Sequence, residues 1–132
     1  MNPQLPELRE ALLKLHKTLV ESERTTYEQT IGTITSPNHF LQLLTNDPWF
    51  AWLHPISLLI VTIDEALDAK AKTQLTPAIA DALAKQTRAL LVASQTGEGF
   101  AKHYDDALQR DPDVVLAHAD VVKFLGLRRS KD

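Results

Sequence analysis

A dipeptide made of a helix-capping residue followed by proline recurs along the chain and constrains the fold more than any other feature. It occurs as Asn2-Pro3, Ser36-Pro37, Asp47-Pro48, Thr76-Pro77 and Asp111-Pro112. The side chains of Ser, Thr, Asp and Asn accept hydrogen bonds from the free amides of a first helical turn, where proline has no amide to leave unpaired. Each pair precedes an apolar run at helical spacing and therefore predicts a helix start. The sequence predicts an all-α fold.

Apolar spacing predicts a compact bundle of about four long helices, with two short helices in the connections. The first helix should run from Pro3 or Pro6 to about Ile31, along a stripe of Leu5, Leu8, Leu12, Leu15 and Leu19. A short helix is expected over 37–45, a long one over 77–93, a short one over 100–108 and a last one from 112 to about 125. Helix ends are predicted at Gly32, Gly97 and Gly126.

The segment from Asp47 to Asp68 holds both tryptophans and the densest apolar run, so we expect the other helices to pack around it. Steps of four and three residues give it a seam of Trp49, Leu53, Ile56, Ile60, Ile63 and Leu67. Proline inside a helix removes one backbone donor, so Pro55 predicts a kink or break near 52–54.

The same segment is apolar nearly all round in its first half, because Leu58 and Val61 lie opposite the seam. A helix of that kind is either central or has a second partner surface. We therefore take Trp49, Trp52, Leu58 and Val61 as candidate interface residues.

Length and composition indicate one soluble domain over residues 1–132, with a frayed tail over 126–132. The chain of 132 residues can bury a sizeable core without metal or disulfides. A net charge of −3 leaves no basic excess for a dedicated nucleic-acid binder. The chain has no cysteine, shows no secretory signal at its start, and contains no apolar run that could span a bilayer. We expect a cytoplasmic protein.

The strong catalytic and phosphate-binding motifs do not occur in the sequence. No residue set argues for enzymatic activity, which leaves that question open but favours a protein that is not an enzyme. We expect no cofactor. His16, His54, Asp64 and His118 could converge in a bundle as ligands for a metal or small molecule. The alternative for each histidine is a core residue with one backbone partner.

His103 and Asp106 lie one helical turn apart. Such an exposed pair is common on protein surfaces, and a functional role is the less frequent alternative.

The segment Tyr104–His118 resembles the end of one tetratricopeptide repeat and the start of the next, through Tyr104, Ala107, Leu108, Asp111-Pro112 and Ala117. A second copy is not visible in the sequence, and one repeat cannot bury its own face. We interpret the likeness as a shared way of joining two helices.

Three further segments resemble an uncharacterised family of small bacterial helical proteins. They are Leu-Leu-Lys-Leu-His-Lys at 12–17, Leu-Leu-Thr-Asn-Asp-Pro-Trp-Phe-Ala-Trp-Leu at 43–53 and Ile-Asp-Glu-Ala-Leu-Asp at 63–68. The resemblance covers about half the chain and implies no activity.

The sequence thus favours a structural or protein-interaction module that self-associates. The first alternative is a bundle that binds a metal or small ligand through His16, His54, Asp64 and His118. The second alternative is a tetratricopeptide-like peptide binder, which would need a concave groove between helices.

Overall fold

Helices form the regular structure in the part of this chain that the structure describes. The computed structural model describes residues 5–68, 75–97 and 99–125. No strand occurs in these ranges. Their helices are α1 (Leu5–Thr30), α2 (Pro37–Asn46), α3 (Pro48–Ala51), α4 (His54–Leu67), α5 (Pro77–Leu90), α6 (Phe100–Arg110) and α7 (Pro112–Lys123). The predicted all-α fold is confirmed. The Asn2-Pro3 helix start, the Gly126 stop and the frayed tail over 126–132 lie outside the described residues.

The four capping pairs in the described part of the chain all start helices as predicted. The side chains of Ser36, Asp47, Thr76 and Asp111 accept hydrogen bonds from first-turn amides of α2, α3, α5 and α7. Asp47 and Asp111 also end the preceding helix, because their backbone amides donate to the carbonyls of Leu43 and Ala107. One residue thus closes one helix and opens the next at both joints.

Pro55 marks a break, as the sequence predicts. The segment from Asp47 to Asp68 divides into α3 and α4, with turn residues at Trp52 and Leu53 between them. Along α4 the predicted seam is buried at Ile56, Ile60 and Ile63. The break lets α3 leave the axis of α4 and approach α1.

The centre of the fold is α1 rather than the segment from Asp47 to Asp68. α1 packs most extensively against α7 and α4 and also contacts α3 and α6, whereas α5 packs on α4. Its apolar stripe is fully buried at Leu5, Leu8, Leu12, Leu15 and Leu19. With 26 residues, α1 is long enough to hold several shorter helices along its length.

Two predicted features of the later chain are wrong. α5 ends at Leu90 rather than near Ala93, because Leu91 leaves the helical conformation and is itself buried. Gly97 lies in the following connection instead of ending a helix. The left-handed residue of this region is Gly99, with φ of 62° directly before α6, a conformation that favours glycine.

Of the helices in the described ranges, none is both long enough and apolar enough to cross a membrane.

Candidate functional site

Two polar contacts join α1 to α4 and define the side on which the helices meet. The Arg9 guanidinium forms an ion pair with Asp64, and His16 Nε2 lies 2.9 Å from the Ser57 hydroxyl. Arg9 and His16 are two turns apart on α1, and Ser57 and Asp64 are two turns apart on α4. Both contacts therefore fall on one face of each helix. Because Arg9 pairs with the later residue of α4 and His16 with the earlier one, the helices are antiparallel.

Beside these two contacts with α1, the outer face of α4 is exposed and largely uncharged. Leu58 and Val61 are 66% and 52% exposed. The exposed residues of this helix are His54, Pro55, Leu58, Val61, Thr62 and Glu65, and Glu65 is the one formal charge in that set. We call these six residues the α4 outer face. It places two large apolar side chains one turn apart in water.

The two tryptophans take a different place from Leu58 and Val61. Trp52 is only 8% exposed and stacks on His103 with ring centroids 5.4 Å apart. Trp49 is partly buried, and its ring meets Tyr27 edge to face. Because its ring is covered by the chain itself, we no longer include Trp52 among the interface residues.

The four candidate ligand residues are not brought to one point. Asp64 lies ten residues beyond His54 on α4, a rise of about 15 Å, and is paired with Arg9. His118 Nδ1 on α7 is hydrogen-bonded to the Tyr104 hydroxyl on α6 at 2.6 Å. Within the described ranges, no group of three or more His, Asp or Glu side chains could hold a metal ion. These four residues therefore form no such metal-binding group there, and a role for them in binding a small ligand stays a prediction.

His16 and His54 are the two members of that set that come close together. Burial lowers the pKa of His16, and the positive charge that His54 can carry lowers it further. In neutral His16 one ring nitrogen donates and the other accepts, so the tautomer decides whether Nε2 accepts from the Ser57 hydroxyl or donates to it. The hydrogen bond that joins α1 to α4 here is the one between His16 and Ser57.

The tetratricopeptide-like segment folds as two packed helices. Tyr104 and Ala107 of α6 and Ala117 of α7 are buried at the contact, on either side of the Asp111 joint. Burial raises the pKa of Tyr104 and lowers that of His118, so the phenol keeps its proton and shares a hydrogen bond with Nδ1 of His118. The interpretation as a way of joining two helices agrees with these contacts.

A groove of about 790 Å³ lies between α1 and the α6–α7 pair. Its lining includes the buried Ser22 and Ala117 and charged side chains of both signs, among them Lys14, Lys17, Glu21, Asp113 and Asp120. A concave groove is what the peptide-binding hypothesis requires. Since its charges select neither acidic nor basic peptides, that hypothesis stays a prediction.

One buried ion pair was missed by sequence reasoning. The Glu23 side chain is 8% exposed, and Arg110 donates from Nη2 to its Oε2 at 2.6 Å. The same guanidinium donates from Nε to the Ser22 hydroxyl at 3.1 Å. The step of four from Leu19 to Glu23 continues the apolar stripe of α1, and that step was the available signal.

A comparison of the chain with models of protein families, with curated proteins and with solved structures finds no match in any of the three. The resemblance to small bacterial helical proteins therefore stays a prediction.

Proposed function

We propose that this protein is an interaction module that associates with a second copy of itself through the α4 outer face. The observation that carries the proposal is the exposure of Leu58 and Val61, one turn apart on a helix whose other side forms the core. Exposed apolar groups that cluster commonly mark a protein–protein contact. Depletion of charge at the centre of a patch is a further mark of such contacts.

A second copy fits this face better than a strongly charged partner does. In a two-fold dimer, each residue near the axis meets itself or a close neighbour in the other copy. A charged centre would then repel its own copy, but the centre here is Leu58, Val61 and Thr62, with Glu65 one turn beyond. The face is therefore self-complementary in charge.

The expected association is weak and depends on concentration. α4 has 14 residues, which gives a length of about 21 Å, and one face of such a helix buries less than the roughly 800 Å² per partner of standard stable interfaces. A contact of that size predicts a monomer–dimer equilibrium in the micromolar range or weaker.

Sedimentation velocity over a concentration series, from micromolar to millimolar, tests the proposal. The chain should shift from monomer to dimer, and Leu58→Asp should abolish the shift because it places a charge at the centre of the face. The matched control is Leu116→Asp on α7, since Leu116 is 65% exposed against 66% for Leu58.

A wild-type chain that stays monomeric at millimolar concentration would overturn the proposal. Loss of the dimer in Leu116→Asp but not in Leu58→Asp would place the interface elsewhere and overturn the assigned face. Circular dichroism of both variants checks that each remains folded.

A cytoplasmic location is part of the same proposal. It is supported by the absence of cysteine from the sequence, which is the usage expected in a reducing compartment.

A further inference from the structure

A small pocket lies where α1, α3 and α6 meet, apart from the α4 outer face. Its volume is about 250 Å³, and its lining includes Glu23, Trp49, His103, Asp106 and Arg110. His103, Asp106 and Arg110 follow one another at one-turn steps along α6, so they present one face of that helix to the pocket. The sequence left the His103–Asp106 pair open between a common surface pair and a functional one. Both residues line this pocket.

The pocket offers a positive group and a negative group that are only partly used. Arg110 donates from Nε to Ser22 and from Nη2 to Glu23, and its Nη1 makes no hydrogen bond within the described residues. Asp106 accepts from Lys102 through Oδ1 at 3.0 Å, which leaves Oδ2 without a partner in the same part of the chain. A guanidinium edge and a carboxylate oxygen therefore remain for a ligand.

The indole of Trp49 adds an apolar wall and a donor without an acceptor. Its Nε1 is buried and has no hydrogen-bond partner among the described residues. Buried polar atoms are nearly always paired, so an unpaired one needs an explanation. The Nε1 of Trp52 is unpaired in the same way, but of the two indoles only that of Trp49 lines this pocket, where a ligand could bring an acceptor.

We propose that this pocket binds a small zwitterion of the free amino-acid class. The ligand's carboxylate would pair with Arg110 and offer an acceptor to Trp49, its ammonium would pair with Asp106, and its apolar part would lie against the indole. A lone anion would face Glu23 and Asp106, and a lone cation would face Arg110. Only a ligand with both charges satisfies the whole lining.

The size of the pocket agrees with this class. Its volume is about 250 Å³. It lies below the roughly 300–1,000 Å³ of pockets that hold drug-sized ligands.

Nuclear magnetic resonance of the indole N–H groups tests the proposal directly, because the chain has two tryptophans and hence two such signals. The signals are assigned with Trp49→Phe. L-leucine and L-glutamine are titrated beside two probes that each lack one charge of leucine, 4-methylpentanoate and 3-methylbutylamine. The zwitterions should shift the Trp49 signal to saturation, and each single-charge probe should bind at least about tenfold more weakly.

A matched pair of neighbouring residues serves as the control. Asp106→Asn removes the ammonium partner and should weaken L-leucine binding about tenfold or more. Asp105→Asn removes the same charge from the same helix outside the pocket lining and should leave binding unchanged. A non-saturating shift with both zwitterions, equal binding of the single-charge probes, or equal effects of the two variants would each overturn the proposal.

Discussion

The carboxylate of Glu23 on α1 and the guanidinium of Arg110 on α6 meet at 2.6 Å across 87 residues of sequence. Their environments differ, since the Glu23 side chain is 8% exposed and the Arg110 side chain is 32% exposed. Glu23 is therefore the member whose charge is largely removed from water, and the hydrogen bond from Arg110 compensates that charge. The pair ties the last two helices to the first near the pocket at α3.

We expect Arg110→Ala to destabilise the fold by about 2–3 kcal/mol, because it leaves the Glu23 charge buried without a partner. Glu23→Gln should be milder, since an amide costs less to bury than a charge. In the Arg110→Ala background, Glu23→Gln should recover part of the loss.

Urea unfolding of the two single variants and the double variant completes a thermodynamic cycle for this pair. Coupling of at least about 1 kcal/mol is expected. Effects that add to within about 0.5 kcal/mol would show that the pair carries no stabilising interaction.

A second prediction concerns the helix cap that Asp111 provides at the joint between α6 and α7. Its side chain accepts from the Asp113 amide at 2.9 Å and so caps α7 directly after α6 ends. Asp111→Ala should lower the free energy of unfolding by about 1 kcal/mol, whereas Asp111→Asn should be nearly neutral because asparagine caps equally well. Thermal unfolding of both variants checks this, and a loss as large in Asp111→Asn would show that the cap is not the cause.

These joints also show which parts of the fold follow from sequence. A cap-proline pair acts on the amides of its own first turn, so Ser36, Asp47, Thr76 and Asp111 could be recognised without tertiary information. The break before α4 follows from Pro55 for the same local reason. The exposure of Leu58 and Val61 follows from periodicity once the opposite seam is assigned to the core.

The candidate sites depend on relations that no local pattern carries. Glu23 and Arg110 meet only because α6 packs against α1, and the pocket needs α3 to turn away from α4 at Trp52 and Leu53. The positions of His16, His54, Asp64 and His118 on their helices likewise do not show how far apart packing holds them. Asp64 lies about 15 Å beyond His54 along α4, and His118 makes a hydrogen bond with Tyr104.

Stability should fall as the solution becomes acidic, because two histidines are held neutral in the fold. Burial lowers the pKa of His118, and burial followed by repulsion from His54 lowers that of His16. The unfolded chain, with ordinary histidine pKa values of about 6.5, therefore binds protons first as the pH drops. The stability is fully present above about pH 7, is lost as the pH falls from 6.5 through the folded pKa values, and levels off below them.

Urea midpoints followed by tryptophan fluorescence between pH 8 and pH 5 measure this dependence. His118→Gln and His16→Gln should each reduce the slope. An unchanged slope in both buried-site variants would assign the acid sensitivity to other groups.

α2 should open more easily than the rest of the fold. It contains no buried residue and packs against the core through the partly buried Phe40, Leu43 and Leu44. The ring of Phe40 meets Phe50 edge to face at 5.8 Å and lies 4.8 Å under the guanidinium of Arg24. Because no residue of α2 is fully buried, its local unfolding free energy should lie below the global value.

Phe40→Ala should therefore release α2 locally and leave α1, α4 and α7 in place. Hydrogen exchange should quicken by roughly tenfold or more at the amides of 40–46, which corresponds to the loss of about 1.4 kcal/mol expected for one half-buried aromatic. The matched control is Leu41→Ala, since Leu41 is 57% exposed on the same helix and should alter exchange little. Faster exchange throughout α1 in Phe40→Ala would instead show that α2 unfolds only with the whole domain.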